Sequence, residues 1–305
     1  MESLLSRVRL AAVPRIAAPS VQRLVPGAVR SMFHTAFDMI AAGRTDVGRT
    51  RSRNEDSVYL SVEAGLALVC DGMGGHAGGD VASRTAVEAI TDFIAEFAPG
   101  GADGCDTVGS EGARTLSEPV AAEPAVQNAV SVVRSAVQLA NRRIHTLNVE
   151  RGFAEGRGMG TTVVGLWRVP GTGELIAFHA GDSRLYRLRD GELRPLTKDH
   201  SLYQMWLDGG RRGTAPHKNI IVRALGTGEH VDPEISVHGL MPDDLYLLCS
   251  DGLNGMVPDA AIARVLDHDG RQGVEGACAR LVDLANRAGG HDNITVVVAR
   301  FAPRA

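Results

Sequence analysis

The amino-acid sequence predicts an α+β fold in which antiparallel β-sheets form a sandwich. Two long helical patterns follow the first strands, and many further strands, a third helix and a closing strand come after them. The pair Asp190-Gly191 lies between two alternating runs, which is a strong signal for a β-hairpin. Hairpins therefore dominate over regular βαβ alternation, and this favours antiparallel pairing.

The individual elements follow from the periodicity of apolar residues. Strands are predicted over residues 57–62, 65–70, 161–169, 174–181, 184–196, 244–252 and 293–301. Helices are predicted from Asp80 to Phe97, from about Val126 to Val149, and over residues 274–288, because apolar residues recur there every three or four positions. Residues 99–125 are rich in Gly and Pro with an acidic bias, which predicts a flexible loop.

The N-terminal residues differ in composition from the rest of the chain. Residues 1–43 form a basic, Ala-rich extension of charge +3, whereas the remaining residues carry −7. We expect the folded domain to cover residues 44–302. An Arg-rich, acid-poor extension is typical of an organelle transit peptide. The alternatives are an extension without consequence and a start of the chain at Met32 or Met39.

Composition also argues against several classes of protein. A net charge of −4 does not suggest a nucleic-acid-binding protein, which would usually carry a basic face. No apolar run is long enough to span a bilayer. The four cysteines are far apart and form no CxxC pair, which suggests neither a zinc site nor a redox dithiol and fits a reducing compartment. We therefore expect a cytoplasmic monomer, with organelle targeting through residues 1–43 as the alternative.

Six carboxylates lie at the ends of predicted strands, in separate segments of the chain. They are Glu55, Asp56, Asp71, Asp182, Asp251 and Asp292. Asp and Gly also form ordinary turns, so each residue taken alone has a structural explanation. Turn formation does not require a long apolar strand to lead directly into Asp-Gly, as it does at Asp71 and Asp251. A convergent cluster of carboxylates would repel itself unless cations occupied it.

The available ligands favour hard divalent cations. Oxygen ligands without a cluster of His or Cys select Mg²⁺ or Mn²⁺ over Zn²⁺. Several glycines follow Asp71, and the first of them, Gly72, would allow a backbone carbonyl to approach a cation. Two such ions can hold a phosphate group and generate a hydroxide nucleophile. The sequence thus suggests a two-metal site for phosphate chemistry.

Three arginines, Arg49, Arg51 and Arg53, lie next to the acidic pair of residues 55 and 56. A planar guanidinium binds phosphate through two parallel hydrogen bonds. Taken alone, the three arginines favour a solvated surface cluster, and phosphate binding is the alternative.

Eight motifs resemble those of the metal-dependent protein phosphatases of type 2C, in their bacterial form, and they occur in the family's order. They are DVGRTRSRNEDS, LVCDGMGGHAGGDVAS, GMGTTVVG, HAGDSRLYRLRDGEL, LTKDHSL, IIVRALG, LLCSDGLNGMV and GGHDNITVVV. The resemblance covers roughly residues 44–302. It implies an α-β-β-α sandwich of two central antiparallel sheets flanked by helices, with two metal ions in a cleft at one edge.

The resemblance also implies a set of metal ligands. Asp71 matches the ligand that bridges the two ions, and Gly72 matches the ligand that uses its backbone carbonyl. Asp251 and Asp292 match the remaining direct ligands. Asp182 matches a ligand of a third ion, although bacterial members often carry Asp where this chain has Gly255.

Three further residues match catalytic positions of the family. Glu55 and Asp56 match the residues that hold water at the ions. Arg51 has the spacing of the phosphate-binding arginine, which Arg49 and Arg53 do not have. Residues of about 201–220 match the mobile flap near the active site. Several eukaryotic members carry a His directly after the first Asp-Gly, in a proposed general-acid role, and this chain has Met73 there.

The resemblance implies a protein serine/threonine phosphatase that uses Mn²⁺ or Mg²⁺ and water to hydrolyse phosphoserine and phosphothreonine. Its partners would be phosphorylated proteins, the substrates of a Ser/Thr kinase, and no nucleic acid. Two alternatives differ in class: a non-catalytic phosphate-sensing regulatory module of the same fold, and a hydrolase of small phosphate esters.

Overall fold

The computed structural model describes residues 22–23, 37–74, 78–97, 122–154 and 156–303. Its strands are β1 (Gln22–Arg23), β2 (Phe37–Asp46), β3 (Asp56–Ser61), β4 (Leu66–Met73), β5 (Gly160–Thr161), β6 (Val163–Arg168), β7 (Glu174–Ala180), β8 (Arg184–Arg189), β9 (Glu192–Pro195), β10 (Glu234–Gly239), β11 (Leu245–Cys249) and β12 (Ile294–Pro303). Its helices are α1 (Gly79–Phe97), α2 (Ala122–Glu150), α3 (Leu202–Asp208), α4 (Asp251–Asn254), α5 (Asp259–Val265) and α6 (Val274–Arg287), with a π-helical turn at Leu266–Gly270.

The strands form two sheets. The first sheet has the order β1-β10-β7-β6-β4-β3, and β5 pairs with β4 outside this path. The second sheet has the order β2-β12-β11-β8-β9. Neighbouring strands are antiparallel, except for the two-residue pairing of β1 with β10. The α+β class and the antiparallel sheets expected from the sequence are therefore confirmed.

The alternation of side chains along each strand builds the layers. In β4, Leu66 and Leu68 pack in the core beneath α1 and α2, whereas Ala67 and Val69 face the second sheet. The outer face of the second sheet packs against α4, α5 and α6 in a third core. The order of layers is helix, sheet, sheet, helix, as the resemblance implied.

Several local predictions are also confirmed. Helix α1 begins within one residue of Asp80, and its apolar stripe of small and branched side chains is buried against β4. The hairpin between β8 and β9 turns at Asp190 and Gly191, whose φ angles of 52° and 78° are the left-handed values that such a turn requires. Both features were readable because they depend on neighbours in sequence.

The predicted boundary after residue 43 falls inside a strand. Strand β2 begins at Phe37, and each of its residues from Phe37 to Asp46 pairs with β12. Phe37 and Met39 are buried between the sheets. Residues 37–43 therefore belong to the sandwich, although their composition resembles that of the extension.

The structure differs from the predicted loop over residues 99–125 at the C-terminal end of that range. Helix α2 begins at Ala122 instead of Val126, so the last four residues of the predicted loop are helical. Pro124 is tolerated there because the N–H groups of a first helical turn have no partner within the helix. Residues 99–121 of this prediction lie outside the described residues. None of the helices within the described ranges is long and apolar enough to cross a membrane.

Candidate metal centre

The predicted carboxylates converge at one edge of the sandwich because the strand ends meet there. Asp56 begins β3 directly opposite Asp71, near the end of β4. In the second sheet, the backbone N–H of Ser250 donates to the carbonyl of Thr295 over 3.0 Å, which joins the end of β11 to the start of β12. Asp251, the residue after Ser250, is thereby brought to the same edge.

Asp56 is held in place by the second sheet. Its Oδ2 accepts hydrogen bonds from Ser250 Oγ at 2.8 Å and from Thr295 Oγ1 at 2.6 Å. Its Oδ1 is buried and has no hydrogen-bond partner within the described part of the chain. One oxygen of this carboxylate is thus fixed by the protein, and the other is left free for a ligand.

Arg51 reaches the cleft through an ion pair with Asp292. The Nη2 of Arg51 donates to Oδ2 of Asp292 over 2.7 Å, and both side chains remain partly exposed. Burial alone would lower the pKa of Arg51, but the net shift is upward because Asp292, Asp71 and Asp251 lie nearby. The guanidinium therefore faces the predicted ligands, which is where a phosphate group would need it.

Asn293 organises the loops around the site, and the sequence did not single it out. Its Oδ1 accepts the backbone N–H of Glu55 at 2.9 Å, and its Nδ2 donates to the carbonyls of Val47 and Arg53 at 3.0 and 2.9 Å. Its own N–H donates to Oδ1 of Asp292 at 2.8 Å. The signal was present in the HDN motif, but only the fold shows which backbone groups Asn293 joins.

The glycines beside the carboxylates permit close approach of three backbone segments. A Cβ on Gly72 would collide with the carbonyl oxygens of Glu55 and Gly79, and a Cβ on Gly252 would collide with the carbonyl of Asn293. The N–H of Gly72 donates to the Glu55 carbonyl at 3.1 Å. Gly72 is therefore needed to bring β4 against the loop of the acidic pair, in addition to any role of its carbonyl.

Electrostatics in the cluster oppose full ionisation. Burial raises the pKa of Asp71 well above its ordinary value, and the carboxylates of Asp56, Asp251, Asp292 and Asp182 raise it further. Burial also raises the pKa of Asp56 to about 7 and that of Asp251 to about 6, with neighbouring carboxylates adding to both shifts. Burial likewise raises the pKa of Glu55, which nearby Arg51 partly opposes. Convergent acids of this kind are stabilised by a bound cation.

Asp182 lies beside the cluster with an unused oxygen. The side chain is buried, and its Oδ1 has no hydrogen-bond partner among the residues that the structure describes. Burial raises its pKa, and so do Asp251 and Asp199. Asp199, which the sequence did not single out, is occupied by two hydrogen bonds of 2.7 and 2.8 Å from Arg184.

A second polar cluster, which the sequence did not predict, lies where β7 meets β10. The ligand atoms of His179, His200 and Glu234 lie within 4.8 Å of one another. His179 Nε2 donates to the carbonyl of Lys198 at 2.8 Å, and His200 Nδ1 accepts the N–H of Gly181 at 3.1 Å. His200 Nε2 lies 3.4 Å from Oε2 of Glu234 and 3.1 Å from Nη1 of Arg223, and a guanidinium at this nitrogen fits a hydrogen-bond network better than a metal site.

The predicted flap, residues 201–220, begins directly after His200. Its base is closed by hydrogen bonds from Leu202 N–H to the Ile220 carbonyl and from Val222 N–H to the His200 carbonyl, at 2.9 and 2.8 Å. Ile221 packs against Met73, the residue after Gly72. One end of the flap is therefore anchored beside the candidate ligands, and α3 lies within it.

The donor set fits hard divalent cations. Carboxylates converge from separate segments, and two of them present buried oxygens that have no hydrogen-bond partner among the described residues. The glycine at position 72 leaves its backbone uncovered by a side chain. Such a site, with a guanidinium beside it, is suited to binding and hydrolysing a phosphate ester.

Comparison with known proteins places the chain in a family. The profile of the family described as protein phosphatase 2C matches residues 47–281, and the chain belongs to that family. It is 36% identical over 265 residues to the serine/threonine protein phosphatase PstP of Mycobacterium tuberculosis, covering 85% of this chain. It is 33% identical over 268 residues to the serine/threonine phosphatase stp of Listeria monocytogenes, covering 85% of this chain and 95% of that protein.

The solved structures agree with the sequence comparison. The catalytic domain of PstP in complex with two manganese ions has a TM-score of 0.69 and 34% identity, covering 88% of this chain and 100% of that chain. This confirms the resemblance and the sandwich of two antiparallel sheets flanked by helices. The chain spans 44% of the length of PstP.

Proposed function

We propose that this protein is a metal-dependent phosphoprotein phosphatase that hydrolyses phosphoserine and phosphothreonine. The observation that carries the proposal is the convergence of Asp56, Asp71, Asp182, Asp251 and Asp292 at one cleft, where burial and mutual repulsion raise the pKa values of the first four. Membership of the protein phosphatase 2C family supports the same reaction.

The proposed ligands are those that the family resemblance implies, and the chemistry of the cleft supports them. Asp71, the Gly72 carbonyl, Asp251 and Asp292 would hold two Mn²⁺ or Mg²⁺ ions. Asp182, whose Oδ1 is buried without a partner among the described residues, would contribute to a third ion. When bound, the ions supply Lewis acidity and lower the pKa of water to generate a nucleophile near neutral pH. The two manganese ions of the PstP catalytic domain support this assignment.

The remaining residues bind the substrate phosphate and orient water at the site. Arg51 holds two oxygens of the substrate phosphate, since a guanidinium presents two parallel donors and Asp292 keeps this one at the cleft. Glu55 and Asp56 accept hydrogen bonds from water at the site. The hydroxyls of Ser250 and Thr295 fix one oxygen of Asp56, so the other keeps its direction.

Protons must leave the cluster when the cations bind. The pKa of Asp56, raised by burial to about 7, means that part of the metal-free protein carries a proton there near neutral pH, and burial raises the pKa of Asp71 in the same direction. Cation binding requires the deprotonated carboxylates and releases those protons. Metal affinity should therefore increase with pH across the neutral range.

The substrates are proteins phosphorylated by a Ser/Thr kinase, and we propose that the phosphatase acts on them as a monomer in the cytoplasm. The test compares kcat/KM for a phosphothreonine peptide with kcat/KM for a nucleotide monophosphate, both in Mn²⁺. A protein phosphatase prefers the peptide. Preference for the nucleotide would favour a hydrolase of small phosphate esters, and inactivity on both would favour a regulatory module.

A further inference from the structure

One face of α2 carries three polar residues at intervals of seven, Arg134, Asn141 and Asn148. Positions seven apart differ by nearly two full turns, so these side chains lie on one face of the helix. All three contact residues 225–232, which follow the flap and are called its return segment, and Arg134 pairs with Asp232. Asn141 and Asn148 are almost completely buried, with exposures of 1% and 6%.

The two asparagines hold the peptide groups on both sides of Gly226. Asn141 Oδ1 accepts the N–H of Gly226 at 2.8 Å, and Asn148 Nδ2 donates to the Gly226 carbonyl at 2.9 Å. Asn148 also donates to the carbonyl of Met159 at 2.7 Å and accepts the N–H of Met159 at 2.9 Å. Asn148 thus ties the flap's return segment to the residue that precedes β5.

These two segments support the end of β4 that carries the candidate ligands. Leu225 and Thr161 exchange backbone hydrogen bonds of 2.8 and 3.1 Å. Thr161 Oγ1 and the N–H of Thr162 both donate to the carbonyl of Asp71, each over 2.9 Å. Gly72 pairs with Thr161 in the β4–β5 ladder. The backbone of Asp71 and Gly72 therefore rests on a segment whose own position is fixed by Asn148.

Apolar packing alone would bury α2 without fixing this geometry. The helix already packs through a continuous stripe that includes Val133, Val137 and Ile144. Buried amides are costly unless every polar group is paired, and they are directional where apolar contacts are not. The Asn148 side chain donates two hydrogen bonds to backbone groups and accepts one from a backbone group. These bonds fix the positions of Met159 and Gly226 relative to α2.

We propose that Asn141 and Asn148 are positioning residues for metal binding, which set the backbone of Asp71 and Gly72 through β5 and the return segment of the flap. This inference rests on the proposed metal centre, because it concerns how the ligands of that centre are held. It gives α2 a role in metal affinity, although no side chain of α2 has been assigned to the site.

The experiment measures Mn²⁺ affinity by isothermal titration calorimetry, well below the melting temperatures of all variants. Asn148→Ala is expected to lower the melting temperature and to weaken Mn²⁺ binding by about tenfold or more, the range for groups that orient metal ligands. The matched control is Val133→Ala, a fully buried residue of the same helix that makes no side-chain hydrogen bond. This control should lose stability but keep the Mn²⁺ affinity of the wild type.

The outcomes distinguish failure of the positioning role from failure of the proposed metal centre. Equal Mn²⁺ affinity in Asn148→Ala, Val133→Ala and the wild type would overturn the positioning role and leave the metal centre intact. Failure of the wild type to bind Mn²⁺ would overturn both. If Asn148→Ala does not fold, Asn141→Ala takes its place, because it removes the acceptor for the N–H of Gly226 and leaves the bonds of Asn148, and weaker Mn²⁺ binding than in the wild type is expected.

Discussion

The Nη2 atom of Arg51 lies 2.7 Å from the Oδ2 atom of Asp292, and this ion pair joins positions 241 residues apart. It holds the guanidinium of Arg51 at the rim of an otherwise acidic cleft. The carboxylate of Asp292 is also a proposed metal ligand, so a metal ion bound there would change its interaction with Arg51. The site therefore contains both the carboxylates that we propose as metal ligands and the guanidinium that we propose for phosphate binding.

Replacement of Arg51 by alanine tests its role in phosphate binding. We expect Arg51→Ala to raise KM by about tenfold or more, with a smaller fall in kcat, because a charge-assisted hydrogen bond to the bound phosphate is lost. Steady-state kinetics on a phosphothreonine peptide measures both constants. Arg49→Ala and Arg53→Ala serve as controls and should have smaller effects. Equal effects of all three would indicate a general basic patch.

Replacement of Asp71 by asparagine separates a ligand from a turn residue. In the metal-free protein, Asp71→Asn should melt no lower than the wild type, because burial and neighbouring carboxylates already disfavour the ionised form of Asp71. Turnover and the Mn²⁺-dependent rise in melting temperature should be largely lost. The control is Asp190→Asn, which changes a hairpin residue at φ 52° and should leave the Mn²⁺ effect unchanged. A collapse of metal-free stability in Asp71→Asn would show that Asp71 is structural.

The raised pKa of Asp56 predicts a pH dependence of metal-free stability. Its folded pKa of about 7 exceeds the ordinary value of 3.8, so its contribution to stability is present below pH 4 and is lost as pH rises towards 7. Buried His179 and His238 have lowered pKa values of about 4, and they act in the opposite direction below about pH 6.5. The test must therefore be a difference between variants.

The free energy of unfolding of Asp56→Asn, minus that of the wild type, should increase by a few kcal/mol between about pH 4 and pH 7. Urea denaturation with a chelator present measures both values at each pH. A difference that stays constant over this range would show that the Asp56 carboxylate titrates normally in the folded protein.

The start of β2 predicts how much of the N-terminus can be removed. A chain that begins at Phe37 should keep most of its thermal stability and its activity, because it retains the whole of the β2–β12 pairing and loses only the two-residue pairing of β1 with β10. A chain that begins at Arg44 loses buried Phe37 and Met39, and each is worth about 2–5 kcal/mol when removed from a core. A chain that begins at Met39 should be intermediate in stability.

Thermal denaturation of the three truncated proteins checks this order. Loss of folding in the chain that begins at Phe37 would show that the residues before Phe37 contribute far more to stability than the two-residue pairing of β1 with β10 accounts for. An unchanged melting temperature in the chain that begins at Arg44 would show that the first half of β2 contributes nothing.

The fold class could be predicted because each central strand has a local sequence pattern that identifies it. Strands β4, β6, β7, β11 and β12 are continuous apolar runs, as expected for strands buried on both faces. Strand β2 was missed although Phe37 and Met39 alternate with exposed residues, because its second half is polar and exposed at the sheet edge. Strand β10 is short and half-buried, so its pattern was too weak to read.

The candidate ligands were readable because each lies beside a strand end, and strand ends meet at the edges of a sheet. The supporting residues were not readable in the same way. Asn148 contacts Met159 and Gly226, which lie 11 and 78 residues away, so its role depends on how α2 docks. Asn293 likewise joins Val47, Arg53 and Glu55 across about 240 residues. Such contacts are decided by tertiary packing and leave no local pattern.

The most direct test of the proposed function is phosphate release from a phosphothreonine peptide by the wild-type protein, with and without Mn²⁺. Carboxylate sites for Mn²⁺ or Mg²⁺ exchange their ions readily, so a chelator should abolish release and added Mn²⁺ should restore it. Full activity after exhaustive chelation, verified by metal analysis, would contradict a reaction that depends on the carboxylate cluster around Asp71.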